Sequence, residues 1–266
     1  MNRIEARFDD LRSRGKKAFM PYIAVGDPTL AATEEIALAL DGAGVDVIEL
    51  GIPFSDPIAD GPSIQRASER ALAAGASLEK GLRLTEKLRP SMQSCAVVMC
   101  YYNPIYRYGV ESFCEAAAQA GVDGVIVPDL PLEESGELYE ASLSRGIALI
   151  FLTAPTSSPE RARRIAQRSR GFVYAVSLLG VTGARDAVSA DLAPLMKTLR
   201  AATDKPLCVG FGVGNAEQAR AVAQIADGVI VGSALVNVIE AHIGKPNLVE
   251  AAQAFAVELT QAVKSV

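Results

Sequence analysis

A (β/α)8 barrel, the TIM architecture, with one extra helix at its N-terminus is the fold class this sequence predicts. Three observations predict it. Eight short apolar runs are spread along the chain and alternate with segments of helical period. The junction leading into a run repeats, as AGVDVI at Ala43, AGVDGVI at Ala120 and ADGVI at Ala226, each reading as a helix end, a turn and the start of a buried strand. About eight strand–helix units in 266 residues, with no linker-like or low-complexity stretch, make a single barrel domain over residues 1–266.

The elements follow in order. Ile4, Phe8 and Leu11 form a short apolar stripe ahead of the first run, which predicts a helix plugging the barrel's lower end. The first strand is FMPYIAVG from Phe19. It ends in Gly26-Asp27-Pro28-Thr29, where a doubly wound open sheet would want Gly-x-Gly-x-x-Gly. VIELGI from Val47, CAVVMCYY from Cys95 and GVIVPD from Gly124 supply the next three strands. ALIFLTA from Ala148, GFVYAVS from Gly171, PLCVGFG from Pro206 and GVIVGSA from Gly228 complete the set. Amphipathic stretches such as SPERARRIAQRSR and NAEQARAVAQIA lie between them, opened by Ser158 and Asn215 as N-caps.

Charge and cysteine content narrow the function classes. The chain is 50% hydrophobic and 21% charged, with a net charge of -5, which argues against a nucleic-acid or anionic-membrane surface. Mild acidity leaves a phosphate-bearing ligand open, because backbone amides hold phosphate without a cation. Cys95, Cys100, Cys114 and Cys208 have no metal-like spacing, so no metal site is expected and the thiols read as buried in a reducing compartment. The N-terminus has no apolar signal core and no uncharged stretch reaches the ~18 residues of a membrane span, so the expected location is cytoplasmic.

The chemistry concentrates in IELGIPFSDPIADGP, from Ile48 to Pro62. Side chains alternate along a strand, so Ile48, Leu50 and Ile52 share the face that packs on helices, and Glu49 is aimed into the barrel. It sits near the carboxyl end of its strand, where barrel active sites are built. Burial without a partner raises a carboxyl's pKa towards neutrality, as proton transfer requires. A structural role would pair Glu49 with a buried Lys or Arg, and none of the eight runs contains one. Asp60 and Asp56 lie in the following loop, where an Asp is ordinarily a turn-former or cap. Asp60 gains from its setting: the single histidine, His242, follows the last strand, so carboxylates and tyrosines are left to move protons. Two acids in unlike settings, one in the wall and one on a loop, can take separate tasks.

The last two strands run into glycine, at Gly210-Phe211-Gly212-Val213-Gly214 and Gly232-Ser233-Ala234. These are the positions where barrels bind phosphate through bare amides, although glycine there also serves tight turns. Leu178 to Asp191 reads as a long small-residue loop with glycine pivots, fit for a lid or for an ordinary surface loop. Tyr22, Met99, Tyr101, Phe151 and Tyr174 are read as inward positions lining an apolar, aromatic-sized slot. Together these features suggest a phosphorylated, partly aromatic substrate.

The segment Glu49 to Pro62 closely resembles the signature of the tryptophan synthase alpha subunit family, and the resemblance runs the whole chain. It extends through Gly26-Asp27-Pro28, Asp129-Leu130-Pro131, Gly180-Val181-Thr182-Gly183, Gly210-Phe211-Gly212 and Gly232-Ser233. It implies retro-aldol cleavage of indole-3-glycerol phosphate to indole and glyceraldehyde 3-phosphate. By that pattern Glu49 is the general acid–base and Asp60 accepts the indole N–H. Tyr174 stands near Glu49, and Tyr22 where many relatives have Phe. Thr182 would close the lid towards Asp60, while Gly183, Gly212, Gly232 and Ser233 would cradle the phosphate. The implied partner is a beta subunit carrying pyridoxal phosphate in an α2β2 complex, docking on loops 53–62 and 103–109; the alpha chain itself needs no cofactor. Many relatives have Ser-Arg before the lid glycines, whereas this chain has Ser177-Leu178. The alternatives are a stand-alone indole-releasing lyase and a catalytically idle barrel acting as an allosteric binding subunit.

Overall fold

The computed structural model describes residues 2–176, 185–210 and 212–266. Among them the chain forms nine parallel strands in one sheet, ordered β5-β4-β3-β2-β1-β9-β8-β7-β6. The strands are β1 (Ala18–Ala24), β2 (Val47–Gly51), β3 (Cys95–Met99), β4 (Gly124–Ile126), β5 (Ala148–Ile150), β6 (Leu152–Thr153), β7 (Val173–Val176), β8 (Leu207–Gly210) and β9 (Gly228–Val231). Seven of the nine correspond one to one to predicted runs, and β5 and β6 share the eighth, broken at Phe151. That break closes the ring: β5 pairs with β4, β6 pairs with β7, and the Tyr174 N–H donates to the Phe151 carbonyl at 3.2 Å. The predicted barrel is the observed one.

Twelve helices accompany it among the described residues, more than the alternating pattern revealed. Before and after β1 come α1 (Arg3–Ser13) and α2 (Leu30–Gly42). Pairs follow β2 and β3: α3 (Pro62–Ala73) with α4 (Leu78–Leu88), then α5 (Tyr102–Tyr108) with α6 (Val110–Gln119). The set ends with α7 (Gly136–Ser144), α8 (Pro159–Arg168), α9 (Arg185–Arg200), α10 (Ala216–Ala223), α11 (Ser233–His242) and α12 (Leu248–Lys264). The predicted Ser158 and Asn215 caps are present, each side chain accepting the N–H three residues on. No described helix is long and apolar enough to cross a membrane.

Two apolar layers hold the barrel. Outward-facing residues, among them Ile48, Leu50, Val98 and Val229, pack under the helices, while Val47, Val97, Ile126, Ile150 and Cys208 fill the interior. Ile4, Phe8 and Leu11 of α1 join that interior layer from below, as the N-terminal stripe predicted. Asn2 secures the plug. Its side chain accepts the Ile4 N–H at 2.8 Å in a capping box with Glu5, and donates to the Asp123 and Gly146 carbonyls at 2.8 and 2.6 Å.

The repeated junction has a shared physical task. The aspartate ahead of each strand accepts a backbone N–H from a neighbouring strand: Asp46 from Phe19 at 3.0 Å, Asp123 from Ala96 at 2.9 Å, Asp227 from Leu207 at 2.9 Å. Each also meets a cation. Lys264 lies 3.3 Å from Asp46, Arg89 lies 3.3 Å from Asp123, and Arg200 pairs with Asp227. These carboxylates stitch the lower rim, where an N–H at the start of a strand, first or second residue, would otherwise be buried unpaired. Asp123→Ala should therefore cost about 2–4 kcal/mol in urea unfolding, since it strands the Ala96 amide and leaves Arg89 with only the Met92 and Ser94 carbonyls. Asp123→Asn should recover part of that loss.

Candidate active site

Glu49 lies in the barrel interior. It is register partner to Tyr22 on β1 and to Val97 on β3, on the face shared with Val47, while Ile48 and Leu50 pack outward. The residue is 1% exposed, and its Oε1 has no hydrogen-bond partner among the described residues. Desolvation alone pushes its pKa up to about 8. An acid in this state holds its proton at neutral pH and can give it up on demand.

Asp60 lies on the loop between β2 and α3, and the loop is pinned. The Asp60 N–H donates to the Pro57 carbonyl at 3.0 Å, and Gln65 Nε2 to the Asp60 carbonyl at 2.9 Å. The Tyr101 hydroxyl accepts the Ala59 N–H at 2.9 Å while its ring stacks on Phe54, centroids 5.1 Å apart. Asp60 is half-buried. Burial lifts its carboxyl to about 6, with hydrogen bonding from Tyr101 working against the rise. Asp56 is exposed and bonds locally to Ser55 at 2.5 Å, the turn-forming role the sequence left it. Asp129, from the Asp-Leu-Pro motif, accepts the Tyr102 N–H at 2.9 Å and so caps the head of α5.

Two tyrosines frame the carboxylates, and two strand glycines make room for them. A Cβ at Gly51 would lie 2.1 Å from the Tyr22 hydroxyl, and one at Gly210 would lie 2.4 Å from that of Tyr174. Each ring thus leans across the top of the neighbouring strand where only hydrogen fits. Burial raises both phenols, reinforced for Tyr22 by Asp60 and then Glu49, and for Tyr174 by Glu49. The four groups therefore sense one another as a single cluster. Met99, half-buried, packs against both the interior layer and the Tyr22 group. Phe151 does not belong here. It packs in the outer layer, because in ALIFLTA the inward positions are Ala148, Ile150 and Leu152. The roles of Gly51 and Gly210 were missed in the sequence, where glycine inside an apolar run was the available signal.

The far end of the site offers amides. Gly232 is the N-cap of α11 with no side-chain cap bond, and the first turn, beginning at exposed Ser233, carries no acid. Its amides are free to receive an anion. A Cβ at Gly232 would stand 3.7 Å from Tyr22 Cβ, so this helix head adjoins the carboxylate cluster. Gly212 lies exposed beyond β8 with φ +77, and β8 pairs directly with β9. Thr182, Gly183 and Leu178 lie outside the described residues. The sequence expectation of a loop over Leu178 to Asp191 fails from Arg185 on, where α9 begins in a stretch of helix-compatible residues; residues 178–184 lie outside the described ones. A separate cavity of about 440 Å³ opens between β4, β6 and α8, lined by Pro128, Leu152, Thr153, Arg161 and Val176; neither Glu49 nor Asp60 lines it. Among the described residues no group of three or more His, Cys, Asp or Glu could hold a metal ion.

Comparison with known proteins agrees with this geometry. A family model described as tryptophan synthase alpha chain matches residues 8–264. The tryptophan synthase alpha chain of Geobacter sp. (strain M21) is 51% identical over 99% of this chain and 98% of its own. That of Synechocystis sp. is 51% identical over 89% of this chain and 90% of its own. The crystal structure of tryptophan synthase subunit alpha from Legionella pneumophila str. Paris superposes with a TM-score of 0.92 at 39% identity, covering 100% of both chains. Ligand-free M. tuberculosis tryptophan synthase gives 0.90 at 38% identity, covering 99% of this chain and 100% of that one.

A raised carboxyl pKa is a stability statement. The folded protein binds the Glu49 proton more tightly than the unfolded chain, so stability is lost as pH rises from about 4.5 towards about 8. Glu49→Gln keeps the shape and removes the ionisation. Its melting temperature should match the parent near pH 5 and exceed it progressively towards pH 8–9, by the equivalent of a few kcal/mol. Thermal melts of both proteins across that range check it.

Proposed function

The chain belongs to the tryptophan synthase alpha chain family, and from that premise we propose that its barrel, residues 1–266 acting as one domain, cleaves indole-3-glycerol phosphate through Glu49 and Asp60. Membership makes it the alpha subunit of a lyase of tryptophan biosynthesis. The observation that carries the site assignment is the dry, unpartnered Glu49 carboxyl clustered with Tyr22, Tyr174 and the half-buried Asp60.

The chemistry follows from those two environments. Protonated Glu49 delivers its proton to C3 of the indole ring, which places positive charge on the ring nitrogen. Ionised Asp60 receives the ring N–H and stabilises that charge where it develops. Glu49, now ionised and dry, takes the proton of the side-chain hydroxyl next to C3. The C3–carbon bond breaks, its electrons return to the ring, and indole and glyceraldehyde 3-phosphate result. Glu49 ends protonated, as it began. One group serving as acid and then base needs a pKa near neutrality, and burial supplies it.

Positioning falls to the rest of the site. Met99 and Tyr101 wall the ring, Tyr22 and Tyr174 crowd the carboxylates, and Thr182 stands to close on Asp60. The substrate phosphate sits on the amides of Gly232 and Ser233 at the head of α11, with Gly212 and Gly183 completing the cradle. For the partner, Ile58 is 86% and Tyr106 67% exposed, on the loop carrying Asp60 and on α5. Such uncovered apolar side chains support docking of a beta subunit, in an α2β2 assembly, at loop 53–62 and at segment 103–109, which is helix α5 and its C-cap and not the loop expected from the sequence. Pyridoxal phosphate belongs to that partner, and this chain's residues are assigned no cofactor. Four free, buried cysteines support a reducing compartment, and we place the protein in the cytoplasm.

The two carboxyls predict a bell-shaped pH profile for kcat/KM. The acid limb falls below about 6 as Asp60 takes a proton, and the alkaline limb falls above about 8 as Glu49 loses one. Glu49→Gln should lose several orders of magnitude in turnover while folding and phosphate affinity persist; near-normal turnover in that variant overturns the assignment. Indole release, measured with and without a beta subunit, separates the remaining readings. Activity rising on mixing supports the complex, full activity alone a stand-alone lyase, and none in either state an idle barrel.

A further inference from the structure

The Gly26-Asp27-Pro28 turn and the outer ends of α3 and α11 hold a chain of charges that the reaction above leaves unused. Asp27 is 2% exposed and is gripped in a two-pronged pair by Arg70, Nε to Oδ1 at 2.8 Å and Nη2 to Oδ2 at 2.9 Å. The third arm of the same guanidinium, Nη1, reaches Glu240 Oε1 at 2.7 Å. Arg66, one helical turn earlier, closes on the other side of Glu240, at 2.7 Å to Oε2 and 2.9 Å to Oε1. Between two arginines, the Glu240 carboxyl is held down at about 2. Beneath the charges lies an apolar layer of Ile64 and Ala67 from α3, Val236 from α11, and Tyr22 and Ala24 from β1.

The two bridged helices begin at the two ends of the substrate site. Helix α3 starts at Pro62, two residues beyond Asp60, and α11 starts at Ser233, directly after Gly232. We propose that the Arg66–Glu240–Arg70–Asp27 chain is a strut of positioning residues that fixes the span between Asp60 at the head of α3 and the phosphate-binding amides at the head of α11. A substrate that must touch both ends at once senses that span, and a shift of about 1 Å can cost up to ~100-fold in rate. A ligand that touches one end does not sense it.

This inference rests on the reaction assigned above, and its test separates the two. Indole-3-glycerol phosphate cleavage by the parent protein is measured first; its failure overturns that reaction and not the strut. Glu240→Gln then removes the shared carboxylate at a side chain only partly buried, 30% exposed. The kcat/KM for the spanning substrate should fall about tenfold or more. Dissociation constants for inorganic phosphate alone and for indole alone should stay within about twofold of the parent's. Arg66→Gln, at a side chain 48% exposed, is the second variant and should show a smaller loss of the same pattern. Unchanged kcat/KM in both variants overturns the proposal, as does a proportionate weakening of either fragment, which would mean that the charges support one end only.

Discussion

One constraint governs the molecule: a carboxyl group is held dry inside a closed ring of strands, with no counter-charge bonded to it among the described residues. Glu49 can be placed there because β2 alternates strictly, with Ile48 and Leu50 anchoring the strand to the helical layer and leaving position 49 no direction but inward. The ring in turn supplies the dryness. Once β5 and β6 join across Phe151, Ile4, Phe8 and Leu11 pack the interior from below, and the carboxyl lies above that layer. The plug helix therefore serves the chemistry at the opposite end of the barrel through the dielectric, without touching it.

Around that carboxyl the strand glycines matter as much as the side chains. Tyr22 and Tyr174 lean over Gly51 and Gly210 into space that an alanine would fill, so two phenols and two acids share one small volume. Burial raises every member of the set, the carboxylates add to the rise of both phenols, and Asp60 escapes part of its own rise through Tyr101. The separation between Asp60 at about 6 and Glu49 at about 8 follows from depth and from that one hydrogen bond. It gives two chemically identical groups opposite protonation states at neutral pH.

Local periodicity made the barrel and Glu49 legible in the sequence. Eight apolar runs, the helix stripe at Ile4, Phe8 and Leu11, and the phase of VIELGI were all readable from neighbouring residues. Where a run is apolar on both faces, phase is lost: ALIFLTA gave no means of telling that Phe151 points outward or that the strand breaks there. Helices α4 and α5 stayed hidden because each shares its strand-to-strand connection with a second helix. The charge chain was invisible for a different reason. Arg70 finds Asp27 across 43 positions and Glu240 across 170, and no local pattern encodes such pairs.

The two ends of the barrel use the same residue chemistry to opposite purposes. At the lower rim Asp46, Asp123 and Asp227 each accept a strand N–H and face a lysine or arginine, so their charge is matched and the rim is locked. At the upper mouth Glu49 Oε1 meets neither cation nor amide among the described residues, and Asp60 has a phenol. Matching the upper acids as the lower ones are matched would stabilise the fold and pull their pKa values out of the range where protons move at neutral pH. Arg66 and Arg70 on α3 are turned to other work, pairing with Glu240 and Asp27. A barrel that left its lower acids unpaired as well would have little stability in reserve to keep one carboxyl unsatisfied at its centre, so the rim that locks the fold is what permits the mouth to stay reactive.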